Sequence, residues 1–179
     1  MGVLFLDFDG VLNSSRYMRE NRRRFAGGVL NRVSDAIDRA AVARLNAVVE
    51  RTGAKVVISS SWRKSVTLSS LRRLLRVTGF RGEVIGKTPV MTRAEVELLV
   101  TFDTGPRAAM EDHLSLRHVE RGHEIQRWLT GHPEVTHIAI VDDDTDMAHL
   151  YDRLVLTDCE EGLQDEHVER LVALLTEAA

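Results

Sequence analysis

Apolar and polar positions alternate along this chain in blocks that read as strands and helices in turn. Val3–Phe8 is a short apolar run followed by a Gly-Val turn, the pattern of a buried strand that ends at an acidic loop. Ala41, Leu45, Val48 and Val49 share one helical face within Ala41–Thr52, and Gly53 stops that helix. Lys55–Ser59 is β-branched and apolar, a second buried strand. Thr67–Val77 carries Leu68, Leu71, Leu74 and Leu75 at helical spacing, and Glu83–Ile85 predicts a short third strand. Thr92 to Glu95 has the form of a capping box ahead of Val96, Leu98 and Leu99. Gly122–Thr130 is helical, with Ile125, Trp128 and Leu129 inward and Gly131 then Pro133 as the stop. His137–Val141 and Leu154–Leu156 are two further strands, and Gln164–Thr176 is a closing helix.

Strands that alternate with helices imply parallel strands joined by right-handed crossovers. The expected fold is an α/β three-layer, Rossmann-like domain with a mainly parallel sheet. The 179 residues suit one domain over residues 1–179. Two segments fit the elements poorly: residues 14–40, expected as a small cap insert, and 91–120, expected as a second insert.

Composition narrows the class. A hydrophobic share of 44 % excludes a disordered chain. The single Cys159 excludes an internal disulfide framework and a cysteine zinc cluster, and it predicts a reducing, cytoplasmic setting. No apolar run approaches the roughly 20 residues of a membrane span, and the acids within Met1–Gly10 predict no signal peptide. The net charge of −3 conceals an asymmetry. Eight Arg and three acids lie between Ser14 and Arg44, whereas eleven acids and two Arg lie between Asp142 and Arg170. Arg is the better fork for phosphate, but a charge run is equally the signature of a solvated face. The seven His show no metal-ligand spacing and read as surface or packing residues.

In such a sheet the ligand site lies beyond the carboxyl ends of the strands. Three strand ends carry reactive groups: Asp7 and Asp9, the serines Ser59, Ser60 and Ser61, and Asp142 to Asp144. A carboxylate can attack phosphorus while its neighbour handles a proton. Crowded carboxylates call for a divalent cation, with an exposed acidic loop as the plainer alternative. Serine hydroxyls and backbone N–H groups can hold a phosphate oxygen. For Trp62 and Arg63 the simplest expectation is a core Trp and a surface Arg.

Together LFLDFDGVLN, VVISSSWR, RGHEIQRWL and IAIVDDDTDM resemble the four ordered motifs of the haloacid dehalogenase (HAD) superfamily of phosphohydrolases. More narrowly, S-S-x-W-R and R-G-x-E-I-x-x-W-L are similar to the small HAD domains associated with Swiss Army Knife RNA-repair proteins. The resemblance implies a phosphatase with an aspartyl-phosphate intermediate. Asp7 would be the nucleophile and Asp9 the acid and then the base. Ser60, or alternatively Ser59, would bind the transferring phosphoryl group. Arg121 would stand where the family more often has Lys, with Lys87 as its rival. Mg²⁺ would be held by Asp143, Asp7 and the backbone carbonyl of Asp9, with Asp142 as a further ligand or an outer partner.

The short interval between the first motif and the second strand leaves room for only a small cap, or none. An open site and the Arg-rich segment Arg16–Arg32 with the Arg72–Arg76 cluster point to a phosphate at an RNA or DNA end or on a nucleotide, with any kinase or ligase partner on a separate chain. The alternatives are a small-metabolite phosphatase or phosphotransferase, and a non-catalytic interaction module on the same scaffold.

Overall fold

A computed structural model describes residues 1–21, 33–92, 94–96 and 120–177. Five parallel strands form one sheet: β1 (Gly2–Leu6), β2 (Lys55–Ile58), β3 (Val84–Lys87), β4 (His137–Asp142) and β5 (Leu154–Leu156). Helices alternate with them along the chain: α1 (Ser15–Glu20), α2 (Arg39–Thr52), α3 (Leu68–Val77), α4 (Arg121–Thr130) and α5 (Asp165–Thr176). The strand order is β3-β2-β1-β4-β5. The chain thus steps outward from β1 to β3, then returns to lay β4 on the other side of β1. That reversal is the topological switch point, and it opens a crevice between the carboxyl ends of β1 and β4.

Each central strand is apolar on both faces because helices cover both. Leu4, Leu6, Val56, Ile58 and Val141 pack beneath α2, α3 and α5, with Leu45, Leu71, Leu75 and Leu171 among the residues that meet them. Val3, Phe5, Val57 and Ile140 face the other way, toward Ile125 and Trp128 of α4 and toward Met147 and Leu150. The result is the expected three-layer α/β, Rossmann-like architecture.

Local signals account for most element ends. Asp38 caps α2 by accepting from Ala40 N at 2.8 Å, and Gly53 closes that helix at φ 67°. Thr67 caps α3 through Ser70 N. The Thr92 and Glu95 side chains exchange bonds with each other's backbone N–H, the capping box expected there.

Some boundaries depart from the sequence pattern. β1 ends at Leu6, not Phe8, and β3 runs to Lys87 rather than Ile85. α1 has no apolar face to announce it, since none of its residues is buried. It is held instead by bonds from Ser15 N and Arg16 N to the carbonyls of Cys159 and Glu160, and by ion pairs of Arg16 with Glu161 and Arg19 with Glu160. Of the two expected inserts, residues 22–32, 93 and 97–119 lie outside the described residues. No described helix is long and apolar enough to cross a membrane.

Candidate active site

Asp7 continues β1 by one ladder bond, from its N–H to Val141 O at 3.0 Å. Its carboxylate is buried at the end of the strand. The chain then turns sharply, with Phe8 O accepting from the N–H groups of Val11, Leu12 and Asn13. Gly10 makes the turn in the left-handed region (φ 66°), and a Cβ there would run into the Asp143 side chain. Thr157, just past β5, donates its hydroxyl to Gly10 O at 3.0 Å and its N–H to Asp142 O at 2.9 Å. One residue therefore ties the ends of β1, β4 and β5 together. Asp9 emerges from the turn exposed to solvent. Its carboxylate accepts from Asn13 Nδ2 at 2.7 Å and from Trp62 Nε1 at 2.9 Å.

β4 delivers Asp142, which is fully buried, and then Asp143, which is half-buried. Asp142 Oδ1 accepts from Asp144 N, which closes the turn after the strand. Ligand atoms of Asp7, Asp142 and Asp143 lie within 4.8 Å of one another. Arg121 enters this group from the first turn of α4. Its Nη1 is 2.8 Å from Asp142 Oδ2 and 3.2 Å from Asp7 Oδ1, and it also donates to Ser59 O. The start of α4 is docked on the same loop. Asp146 accepts from Arg121 N through its side chain and from Gly122 N through its carbonyl. Glu120 offers the helix no side-chain cap, so Asp146 caps it from across the crevice. Gly122 permits this approach because a Cβ there would collide with Met147 O.

β2 leads directly into Ser59 and Ser60, both fully buried. The Ser60 hydroxyl hydrogen-bonds the Asp7 carboxylate, whereas Ser59 Oγ has no hydrogen-bond partner among the described residues. The structure thus brings Ser60 to Asp7 and leaves Ser59 to contribute its carbonyl.

Electrostatics follow from this crowding. Burial raises the Asp7 carboxyl above its ordinary value, against the pull of Arg121 and the Ser60 hydrogen bond. Burial and then the Asp7 charge push Asp142 up to about 8, with Arg121 opposing. Asp143 is raised by burial and by Asp7. For Arg121, burial works against the charge, but Asp142, Asp7 and Asp146 outweigh it and hold the guanidinium protonated. Three carboxylates against one Arg leave a negative surplus. Asp7 Oδ1, though close to Arg121, makes no hydrogen bond. All-oxygen donors with an unsatisfied carboxylate oxygen suit a hard divalent cation such as Mg²⁺.

Comparison with known families settles what the fold and motifs suggest. The model for the HAD domain in Swiss Army Knife RNA repair proteins matches residues 3–168. The chain belongs to this family. Comparison with curated proteins and with solved structures finds no match.

In this HAD domain the two rivals for the third-motif position part company. Arg121 lies against Asp7 and Asp142, whereas Lys87 Nζ donates to Arg63 O at 2.8 Å and Val66 O at 3.2 Å. Lys87 holds the turn after β2 and does not reach the carboxylates. The expectation for Arg63 is overturned, whereas Trp62 does pack against the core, though only partly buried. Arg63 is only 4 % exposed, and Trp62 is the partly exposed residue of the two. The Arg63 guanidinium donates to Ser59 O and Ser60 O at 2.8 and 2.7 Å and pairs with Glu124 of α4. Glu124 also accepts from Met91 N. Burial lowers the Arg63 pKa, and Glu124 offsets part of that effect. A signal for this pair does exist in the sequence. Glu124 falls on the inward stripe with Ile125 and Trp128, and an acid there requires a buried partner. Asn13, Gly122 and Thr157 are the other site-building residues that motif reading passes over, while Asp146 belongs to the acid run read after β4.

Proposed function

We propose that this HAD domain is a Mg²⁺-dependent phosphomonoesterase working through an aspartyl phosphate on Asp7. One observation carries the reading: Asp7, Ser60, Arg121, Asp142 and Asp143, from four separate segments, converge at the switch point of the sheet. In the first half-reaction an Asp7 oxygen attacks phosphorus. The bond to the leaving oxygen breaks, that oxygen keeps the electron pair, and it takes a proton from Asp9. In the second, water attacks the phosphorus and yields its proton to Asp9. The Asp7–phosphorus bond then breaks, which restores the carboxylate and frees inorganic phosphate. Ser60 and Arg121 bind the phosphoryl oxygens and stabilise their charge. Asp7, Asp143 and the Asp9 carbonyl would hold Mg²⁺, with Asp142 as a further ligand or outer partner. The ion supplies charge neutralisation for the phosphoryl group.

The family description names RNA repair, which supports a phosphate at an RNA or DNA end, with kinase or ligase steps on a partner chain. The exposed Cys159 thiol fits a reducing cytoplasm. The arginines expected to follow a phosphate backbone contribute less than their number suggests. Arg16 and Arg19 pair with acids, and Arg72 donates to Val84 O and Ile85 O. Arg22, Arg23 and Arg24 lie outside the described residues.

The test is phosphate release from p-nitrophenyl phosphate and from oligonucleotides phosphorylated at either end. The reading expects turnover with Mg²⁺ and its loss in EDTA. Turnover that survives EDTA removes the metal from the account, and no release from any substrate favours the interaction module.

A further inference from the structure

We propose that Trp62 and Asn13 are positioning residues that aim the Asp9 carboxylate for proton transfer. The inference rests on the phosphatase reading, in which Asp9 is the acid and then the base. Proton transfer needs a carboxylate oxygen within about 3 Å of the leaving oxygen. An exposed Asp ordinarily samples several rotamers, most of which miss that geometry. Asp9 is exposed, yet both of its oxygens are engaged. Asn13 Nδ2 donates to Oδ1 at 2.7 Å, Trp62 Nε1 donates to Oδ2 at 2.9 Å, and Ser61 Oγ stands 3.5 Å from Oδ2.

The two main donors are themselves fixed. The Trp62 ring meets Phe8 edge-on with centroids 5.4 Å apart, and Phe8 is fully buried beneath the turn. Trp62 belongs to the 3-10 turn Ser61–Lys64, anchored from below by Arg63, its bonds to Ser59 O and Ser60 O, and Glu124. An indole N–H is a single donor on a rigid ring, so fixing the ring fixes the bond. Asn13 sits across the same turn, with its N–H bonded to Phe8 O. Its Oδ1 is buried without a hydrogen-bond partner among the described residues. A buried amide oxygen left unpaired is costly. The side chain tolerates that cost with its NH₂ directed at Asp9. A carboxylate offers about four lone-pair sites. Asn13 takes one site on Oδ1, and Trp62 and Ser61 take those on Oδ2, so a site on Oδ1 stays free to face the leaving oxygen.

A general acid matters most where the leaving oxygen is a poor leaving group. An alkyl phosphate needs the proton, and p-nitrophenolate leaves nearly as well without it. The experiment compares kcat/KM for an alkyl phosphate and for p-nitrophenyl phosphate in wild type, Asp9→Asn, Trp62→Phe and Asn13→Ala. The Phe variant keeps a ring against Phe8 and removes the N–H. We expect Trp62→Phe and Asn13→Ala each to lose about 10- to 100-fold on the alkyl ester, a fraction of a full acid–base effect, and far less on p-nitrophenyl phosphate. Trp62→His, which keeps a ring N–H, should recover part of the alkyl rate. The Mg²⁺ half-saturation and the urea midpoint should stay close to wild type in Trp62→Phe. Equal losses on both substrates, or no loss on either, would overturn the positioning role while wild-type turnover left the phosphatase reading in place. No phosphate release from wild type would overturn both.

Discussion

At Gly10 the backbone adopts φ 66° directly beneath the Asp143 carboxylate, with no room for a Cβ. Gly10→Ala therefore acts at once on turn conformation and on a proposed metal ligand. It should weaken Mg²⁺ activation by roughly 10-fold or more, a size typical of changes around metal ligands. A Mg²⁺ titration of phosphate release checks this, and an unchanged half-saturation would separate Asp143 from the metal. Arg121 illustrates why the departure from Lys is not a neutral exchange. Its Nη1 meets Asp7, Asp142 and the Ser59 carbonyl while its Nε faces Asp146 at 3.8 Å, a second point of contact that a single ammonium nitrogen does not have. Arg121→Met should cost about 100-fold or more in kcat, measured beside Arg121→Lys, which should lose less.

Between elements, the decisive contact is α4 against the loops that end β2 and β4. The Arg63–Glu124 pair fastens its buried face to the serine turn, and Gly122 lets its first turn touch the loop at Met147. Arg63→Met leaves Glu124 buried without its partner, so a loss of about 3 kcal/mol is expected. Pairing it with Glu124→Leu should recover part of that loss, and urea unfolding of the single and double variants measures both. Recovery follows because the cost lies in the uncompensated charge rather than in the pair's own strength. Most elements were legible because apolar spacing alone marks them, as in Leu68, Leu71 and Leu75 of α3. α1 was not, since surface ion pairs and two backbone bonds hold it. Arg63 was misplaced, and Trp62 is less buried than a core residue, for a related reason. The partner that draws Arg63 inward is 61 residues further along the chain, and the bond that draws the Trp62 indole outward goes to Asp9.

Across the whole molecule, the switch point collects carboxylates from β1 and β4 that no single segment would tolerate. The residue types at the strand ends announced this convergence; which serine faces Asp7, and where Lys87 goes, depend on side-chain directions that only the fold supplies. The crowding has a consequence for stability. Asp142 titrates near 8 in the folded chain, against a usual 3.8. Between those values the folded state keeps a proton that the unfolded state has lost, so stability falls as pH rises through that window. Melting in EDTA should therefore drop from acid toward mildly alkaline pH, and Mg²⁺ should restore most of the loss while releasing protons. A melting temperature that rises over this range in EDTA would contradict the assignment. With Arg16, Arg19 and Arg72 engaged within the molecule, oligonucleotide turnover should fall only moderately with salt, as expected for few phosphate contacts. A steep salt dependence would show a backbone track on arginines other than these three, Arg73 and Arg76 among them. The central claim is that Asp7 attacks phosphorus, and Asp7→Asn tests it most directly. Purified wild type and variant are compared for Mg²⁺-dependent phosphate release, with circular dichroism confirming an equal fold. The account predicts no turnover above background in the variant; phosphate release near the wild-type rate from a folded Asp7→Asn protein would contradict it.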